Sequence, residues 1–467
     1  MYKKIAMWKR ISCVILAAMS IITAVPMEAK ADEFWPEGPS VNVPCAIVIE
    51  VNSGTVLYEK NSDEINYPAS ITKVMTTMLA LEQCELDETV VFSEDAVYKN
   101  EGDTSHIARD VNEKMTVEET LYGVMLESAN ECAYAIAEHV GEKLGGNYQT
   151  FIDLMNERAK ELGCTNTHFN NSNGLPDTEH WTSTRDMALI AAEAYRNETF
   201  RIITGSKRYV IPPTNKHKDP TYLNNHHRMI HNYRTAAYLY DYATGGKTGF
   251  TVASGYTLVS YAEKDGLSLA CVVMRTNEHD ALTDTRSLFE FCFENFEIHN
   301  ISENEVLVNE EVKNKGFMNP FGSFVELDKG ASIVLPATAA FEDATCTIKE
   351  GDSEDGPVAM LEYTYAGRPI GSAKIVASKV SAKENYFNTN SDEVDTMNVI
   401  KIKPVYIVLV VCGVIFLVVL ILISKMLYDN YYVILHNMEV RRERKNRFRP
   451  IEKKRKRRRR RSDRMFR

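Results

Sequence analysis

The sequence predicts an α+β domain on an antiparallel sheet, followed by a small all-β domain, a transmembrane helix and a basic tail. Three observations support this prediction. Strand pairs flank a helical region between residues 45 and 274, short β-branched runs dominate after residue 301, and residues 405–424 are apolar without a charge. The apolar fraction of 44% and the charged fraction of 25% exclude wholesale disorder and collagen-like repeats.

The first 31 residues are typical of a secretory signal peptide. Four basic residues at positions 3, 4, 9 and 10 precede a charge-free apolar run over residues 11–25. Ala29-Lys30-Ala31 then offers the small-residue pattern of a cleavage site. An uncleaved anchor is the alternative, but the run is short for a membrane span. We therefore expect cleavage after Ala31 and export of the following residues.

The exported part begins with the α+β domain, whose ends both carry a hairpin pattern. Strands are predicted over residues 45–50 and 55–59, and again over 255–261 and 267–274, with glycine-containing turns between the partners. Helices are predicted between them, over residues 71–81, 132–140 and 186–195 and after a capping box formed by Thr116 and Glu119. Two strand pairs with helices between them indicate one sheet closed by both chain ends.

The C-terminal part contains the second apolar segment. Residues 405–424 number 20 and carry no charge, so a helix there would span a bilayer core. Residues 425–467 hold 18 basic and 5 acidic residues, whereas residues 32–424 have a net charge of −27. Because the body is exported, the tail is predicted to be cytoplasmic, in agreement with the positive-inside rule. The tail is expected to enforce this topology and to be attracted to anionic lipids, and nucleic-acid binding is not expected.

The first chemical motif is Ser70 followed three residues later by Lys73, at the start of an apolar helix. Residues at this spacing share one helix face, so the amine can reach the hydroxyl. The apolar neighbours predict that Lys73 is half-buried, which lowers the pKa of an amine and makes it a usable base. The alternative is a helix cap with a solvated lysine.

Two further motifs follow in order. Ser128 and Asn130 lie between two helical runs, where they can relay a proton and hold an amide, or simply cap the next helix. Lys247, Thr248 and Gly249 come at the predicted start of a strand. They offer a cation, a hydroxyl donor and close backbone approach to a substrate carboxylate, although a glycine-rich turn is the alternative.

The ordered set resembles the Ser-x-x-Lys, Ser-x-Asn and Lys-Thr-Gly arrangement of β-lactamases and penicillin-binding proteins. The flanking residues 67–76 and 125–133, together with residues 173–175 and 183–188, narrow this resemblance to the serine D-alanyl-D-alanine carboxypeptidases, the low-molecular-mass penicillin-binding proteins. The resemblance covers roughly residues 41–297. It implies a three-layer fold with a five-stranded antiparallel sheet, followed by the associated β domain that many members carry.

The resemblance also implies a mechanism, in which Ser70 forms an acyl-enzyme with peptidoglycan stem pentapeptides and releases the terminal D-Ala. Lys73 would be the base and Ser128 the proton relay, without a metal or organic cofactor. β-Lactam antibiotics would be covalent inhibitors. The implied substrate-binding residues are Asn130, Lys247, Thr248, Gly249 and Phe250, the last through a backbone N–H of the oxyanion hole.

Two departures from the family pattern stand out. The stretch before the third motif reads Asn225-His226-His227-Arg228-Met229, so Arg228 or a histidine is the candidate for completing the carboxylate site. We expect the two histidines at the rim of the site. In addition, many members end in an amphipathic surface helix, whereas this chain has a predicted span and tail.

The sequence is therefore predicted to contain six segments. The segments are a signal peptide (1–31), a catalytic domain (32–297), a small β-rich domain (298–380), a polar linker (381–404), a transmembrane helix (405–424) and a basic cytoplasmic tail (425–467).

The cysteines show no Cys-x-x-Cys pair and no histidine at ligand spacing, so no zinc site is predicted. Two alternative functions are considered. The first is a β-lactamase, which needs a glutamate after the second motif to activate the deacylating water; Glu179 lies in that interval, but the residues around it do not resemble the β-lactamase loop. The second is a non-catalytic wall-binding protein.

Overall fold

A computed structural model describes residues 34–99, 104–232, 235–304, 324–350 and 359–378. The predicted signal peptide, polar linker, apolar segment 405–424 and basic tail lie outside these residues. Among the described helices, none combines the length and apolar character needed to cross a membrane.

The described helices and strands follow the predicted order. The α-helices are Lys73–Gln83, Glu94–Tyr98, Val117–Leu126, Asn130–Lys143, Tyr148–Glu161, Thr184–Arg196, Glu198–Gly205, Glu278–Asn295 and Ile301–Asn304. The strands are β1 (Cys45–Glu50), β2 (Val56–Lys60), β3 (Thr89–Val91), β4 (Lys114–Thr116), β5 (Arg208–Ile211), β6 (Thr221–Asn224), β7 (Ala243–Thr251), β8 (Gly255–Lys264), β9 (Leu267–Thr276), β10 (Phe296–Asn300), β11 (Phe324–Leu327), β12 (Ser332–Pro336), β13 (Thr345–Glu350), β14 (Ala359–Tyr365) and β15 (Arg368–Ser378).

The main sheet has five strands in the order β2-β1-β9-β8-β7, and every neighbouring pair is antiparallel. The predicted hairpins are confirmed as β1–β2 and β8–β9, and the pairing of β1 with β9 joins the two chain ends. The prediction of one antiparallel sheet closed by both ends is therefore confirmed. Strand β7 forms one edge of this sheet.

The sheet separates two hydrophobic cores. Along β1, Ile47 and Ile49 pack into the core shared with the helices, whereas Ala46 and Val48 pack into the opposite core. This alternation follows from the two-residue period of a strand. The Glu278–Asn295 helix covers the second face, so the domain has three layers.

Local sequence signals position the helices of the first core. Thr116 and Glu119 form the predicted capping box at the start of the Val117–Leu126 helix. Ser183 accepts a hydrogen bond from the backbone N–H of Asp186 and starts the Thr184–Arg196 helix. Each cap satisfies a backbone donor that the helix itself leaves unpaired.

The C-terminal β-rich region forms a second sheet, in the order β10-β12-β15-β14-β13 with β11 also paired to β15. Its strand β10 begins at Phe296, immediately after the Glu278–Asn295 helix ends. The two sheets share packing, since Phe296 belongs to the core of the main sheet and its ring lies 5.0 Å from that of Trp35. The predicted small β domain is therefore present and is packed directly on the first domain.

Candidate active site

Ser70 lies in a short 3-10 helix, Ala69–Thr72, that leads into the Lys73–Gln83 helix. Ala69 has a φ of +51°, a left-handed conformation that costs energy for a residue with a Cβ atom. Two glycines pack against this turn. A Cβ on Gly174 would lie 1.9 Å from the carbonyl oxygen of Ala69, and one on Gly249 would lie 2.8 Å from the backbone nitrogen of Ser70. The turn that carries Ser70 therefore packs against two positions at which any residue with a Cβ atom would clash with its backbone.

The Lys73 side chain is fully buried beside Ser70, which contradicts both the half-buried prediction and the solvated-lysine alternative. Its Nζ lies 3.0 Å from Ser70 Oγ, 2.7 Å from Asn130 Oδ1 and 2.6 Å from the carbonyl oxygen of Asn173, all within hydrogen-bonding distance. Burial lowers the pKa of Lys73 well below its usual range, and the charge of Lys247 lowers it further, with Glu131 opposing. A neutral amine at this position can accept the proton of the serine hydroxyl.

The second motif lies in the connection between the Val117–Leu126 and Asn130–Lys143 helices. Ser128 is buried, and its φ of +61° is again left-handed. The helix cap is Ala129 and makes no side-chain hydrogen bond, so the capping alternative is wrong. Asn130 instead turns its carbonyl oxygen to Lys73, which links the second motif directly to the first.

The third motif occupies the middle of edge strand β7. We expected the motif at the start of a strand; it lies within one instead, and the glycine-rich turn alternative is wrong. Lys247 is buried and donates to the carbonyl of Thr248 at 2.7 Å, and burial lowers its pKa to about 7. Gly249 brings β7 against the Ser70 turn, whereas Phe250 leaves 66% of its surface exposed. All three motifs therefore converge on one place.

A buried histidine network, which the sequence motifs do not predict, supports the Ser70 turn. His180 Nδ1 accepts hydrogen bonds from the backbone N–H groups of Asn170 and Asn171, so its Nε2 carries the proton toward Thr72 Oγ1 at 2.9 Å. Thr72 Oγ1 donates in turn to the carbonyl of Ala69 at 2.8 Å. Burial lowers the pKa of His180 to about 3, which keeps the ring neutral. The only signal in the sequence was the position of His180 between the two recognised segments, residues 173–175 and 183–188.

The residues that precede β7, His226, His227 and Arg228, lie in three different environments. Arg228 pairs with Glu278 at 3.2 Å, and its guanidinium lies 6.0 Å from the ring centroid of Tyr238. His226 pairs at 2.9 Å with Glu127, next to Ser128, in keeping with the rim position. His227 is instead buried behind β7, where its Nε2 lies 2.7 Å from Ser260 Oγ. The prediction that His227 lies at the rim of the site is therefore wrong.

Within the described residues, one cluster of metal-binding side chains occurs, formed by Cys84, Glu88 and His139 with ligand atoms within 4.8 Å of one another. Tertiary packing brings them together, since no sequence spacing indicated the group. The Glu88 carboxylate already receives hydrogen bonds from His139 and Lys143, so the cluster is satisfied without an ion. It lies at the end of the Lys73–Gln83 helix opposite Ser70. Four other cysteines, Cys45, Cys132, Cys271 and Cys292, are buried free thiols.

Comparison with known proteins identifies the family. A profile of the D-alanyl-D-alanine carboxypeptidases matches residues 32–278. The chain belongs to this family. The carboxypeptidase DacF of Bacillus subtilis is 31% identical over 392 residues, which cover 81% of this chain and 94% of DacF. The carboxypeptidase DacA of Haemophilus influenzae is 27% identical over 375 residues, with 77% of this chain and 90% of DacA covered.

Solved structures agree with the family assignment. The crystal structure of the Streptomyces K15 DD-transpeptidase covers 56% of this chain and 100% of its own, with 27% identity and a TM-score of 0.50. The predicted family is therefore confirmed, as is the predicted enzyme class of serine-type D-alanyl-D-alanine carboxypeptidases. The penicillin-binding fold with its antiparallel sheet and added β domain is confirmed as well.

Proposed function

We propose that this family member is a membrane-anchored carboxypeptidase that releases the terminal D-Ala of peptidoglycan stem pentapeptides through an acyl-enzyme on Ser70. One observation carries the proposal: the buried amine of Lys73 lies 3.0 Å from Ser70 Oγ. This is the distance that proton transfer from a nucleophile to its base requires. The depressed pKa of Lys73 supports the same role.

In the proposed first step, Lys73 takes the hydroxyl proton as Ser70 Oγ attacks the carbonyl between the two D-Ala residues. The N–H groups of Ser70 and Phe250 would stabilise the resulting oxyanion. The close approach of Gly249 to the Ser70 nitrogen supports this pairing. The proton then passes through Ser128 to the nitrogen of the departing D-Ala as the C–N bond breaks. Water subsequently cleaves the ester and regenerates Ser70.

The substrate is proposed to add to edge strand β7 as an extended peptide, which is a common mode of recognition at an exposed sheet edge. Lys247 and Thr248 would receive the terminal carboxylate, and Asn130 would hold the peptide amide. Arg228 remains a candidate for the carboxylate, although its ion pair with Glu278 would first have to open.

The anchoring part of the proposal rests on sequence alone. Removal of residues 1–31 and insertion of residues 405–424 would place the catalytic domain and the β domain outside the membrane. The tail, residues 425–467, would then lie in the cytoplasm and contact anionic lipids. Protease treatment of intact cells tests this topology, since it should remove a tag at residue 380 but spare one at residue 467.

The catalytic proposal is tested with the full-length protein in detergent. The wild type should release D-Ala from a stem pentapeptide and form a covalent adduct with a fluorescent penicillin, whereas Ser70→Ala should do neither. D-Ala release by the Ser70→Ala variant would refute the mechanism. The lifetime of the penicillin adduct also separates the β-lactamase alternative, because rapid hydrolysis of penicillin would favour that activity. Glu179 is exposed to solvent, which argues against the β-lactamase alternative.

A further inference from the structure

A cavity of about 340 Å³ opens beside the turn that carries Ser70. Its lining residues come from four separate segments of the first domain, namely Ile65, Asn66, Tyr67, Thr178, Trp181, Ala253 and Arg275. None of these residues has a role in the reaction proposed above. The cavity therefore needs its own explanation.

Two of the lining residues connect the cavity to the site. Tyr67 lies three residues before Ser70, and the intervening Pro68 is fixed by a hydrogen bond of 2.8 Å from Thr257 Oγ1 on β8. Ala253 lies in the turn that follows β7, where Thr251 and Ser254 make reciprocal hydrogen bonds. The cavity is thus placed at the Thr251 end of the strand edge, away from Lys247.

This end of β7 is where the upstream part of a bound stem peptide would run. A peptide paired antiparallel to β7, with its carboxylate at Lys247 and Thr248, has its earlier residues beside Phe250 and Thr251. Each residue advances the peptide by about 3.4 Å. The residue immediately before the two D-Ala residues therefore lies within side-chain reach of the cavity. In a stem pentapeptide this is the third residue, a diamino acid with a long side chain.

The residues of the cavity suit a side chain that carries both a positive and a negative charge. Ile65, Tyr67 and Trp181 supply apolar surface for a methylene chain. Arg275 pairs with Glu64 at 2.9 Å, and the two side chains keep 52% and 48% of their surfaces exposed. Such an exposed pair contributes little to stability, so a ligand can replace it at low cost. A carboxylate can bind Arg275 while an ammonium binds Glu64.

We propose that this cavity is the subsite for the third residue of the stem peptide, and that it selects a diamino acid whose side chain ends in both an ammonium and a carboxylate group. A lysine at that position offers Glu64 its ammonium but leaves Arg275 without a ligand. The proposal rests on the proposed function for the identity of the peptide. It adds the side-chain chemistry that the enzyme prefers.

The test measures peptide binding separately from turnover. In a Ser70→Ala background, calorimetry compares two pentapeptides that differ only in the third residue, meso-diaminopimelate or lysine. We expect the diaminopimelate peptide to bind about tenfold more tightly, as a charge-assisted hydrogen-bonded pair allows. Arg275→Gln should abolish this preference and leave binding of the lysine peptide unchanged.

Arg286→Gln is the matched control. Arg286 also forms an ion pair at 2.9 Å, with Glu290, and these side chains are 49% and 46% exposed. This variant should keep the full preference. Equal binding of the two peptides by the Ser70→Ala protein, or an equal loss for both in Arg275→Gln, would overturn the subsite. Failure of the wild type to release D-Ala from either peptide would instead overturn the proposed function, because binding is measured independently.

Discussion

Lys73 and Lys247 are both buried lysines of the same site, yet their surroundings differ. Lys73 Nζ lies within hydrogen-bonding distance of three oxygen atoms, on Ser70, Asn130 and Asn173, all within the protein. For Lys247, the described residues provide one acceptor, the neighbouring carbonyl of Thr248. Burial lowers the pKa of both amines, and the charge of Lys247 adds to the effect on Lys73.

The difference shows how one residue type can perform two tasks. Two ammonium groups in one buried site repel each other, so the proton is lost first from one of them. Lys73 carries the additional lowering and faces the nucleophile, which suits a base. Lys247 keeps donors for a ligand on the open edge of the sheet, which suits a carboxylate-binding cation. The following predictions test this division of roles, from the largest expected effect to the smallest.

Lys73→Met should have the largest effect. Loss of a general base costs about 10²–10⁴-fold in rate, so acylation by a fluorescent penicillin should fall by that factor. The measurement is the second-order rate constant of labelling, with thermal unfolding as the control for folding. Labelling within threefold of the wild type, in a folded variant, would show that another group accepts the serine proton.

Lys247→Gln should affect substrates according to their terminal group. With a peptide ending in a carboxylate, kcat/KM should fall about 30-fold or more, since a buried charge pair is worth about 2–5 kcal/mol. With the matching carboxamide, the same variant should behave nearly as the wild type does. Equal losses for the two peptides would mean that Lys247 does not recognise the carboxylate.

The same pair of peptides gives a prediction for pH. The pKa of Lys247 is lowered to about 7, so its charge is present below that pH and disappears above it. The preference of the wild type for carboxylate over carboxamide, measured as the ratio of kcat/KM values, should therefore decline as pH rises through this region. A ratio that stays constant from pH 6 to 9 would contradict the assignment of the depressed pKa to this role.

Gly174→Ala tests the clamp on the Ser70 turn, and Gly163→Ala is its control. Both glycines have nearly the same left-handed φ, +86° and +84°, so this backbone conformation alone should cost each substitution about 1–2 kcal/mol of stability, and the clash should add to that cost at Gly174 only. A Cβ on Gly174 would strike the Ala69 carbonyl, whereas one on Gly163 would meet no atom within 4 Å. Only Gly174→Ala should slow penicillin acylation, by about tenfold. Equal acylation rates in the two variants would refute a positioning role for this contact.

Substitutions of His180 should have the smallest effect and should separate its two hydrogen-bonding functions. A glutamine can replace the Nε2 donor to Thr72, and an asparagine can replace the Nδ1 acceptor for Asn170. His180→Gln should therefore keep acylation close to the wild-type rate, while His180→Asn should slow it severalfold. Both variants should lose about 1–3 kcal/mol of stability for the partner left unsatisfied. A faster rate in His180→Asn than in His180→Gln would contradict the proposed chain through Thr72.

Much of the fold could be predicted from local patterns. The hairpins β1–β2 and β8–β9 and the Thr116 capping box depend on residues close in the chain, and all were predicted correctly. The position of Lys247 was predicted less well, because its glycine-rich neighbourhood hides a strand that only pairing with β8 establishes. The degree of burial of Lys73 was underestimated for a related reason, since Asn130 and Asn173 reach it from distant parts of the chain.

The sequence by itself determined the family and the order of the three motifs, and it predicted Ser70 as the nucleophile, because these depend on residue identity and short spacing. It also showed an acidic body followed by a basic tail, and from these it predicted that the body is exported. Only the tertiary structure decided that Lys73 is fully buried, that His180 supports the Ser70 turn, and that Tyr67, Trp181 and Arg275 line one cavity. These features depend on contacts between residues up to about two hundred positions apart. Such contacts form when the sheet closes, and closure is a property of packing that local periodicity does not encode.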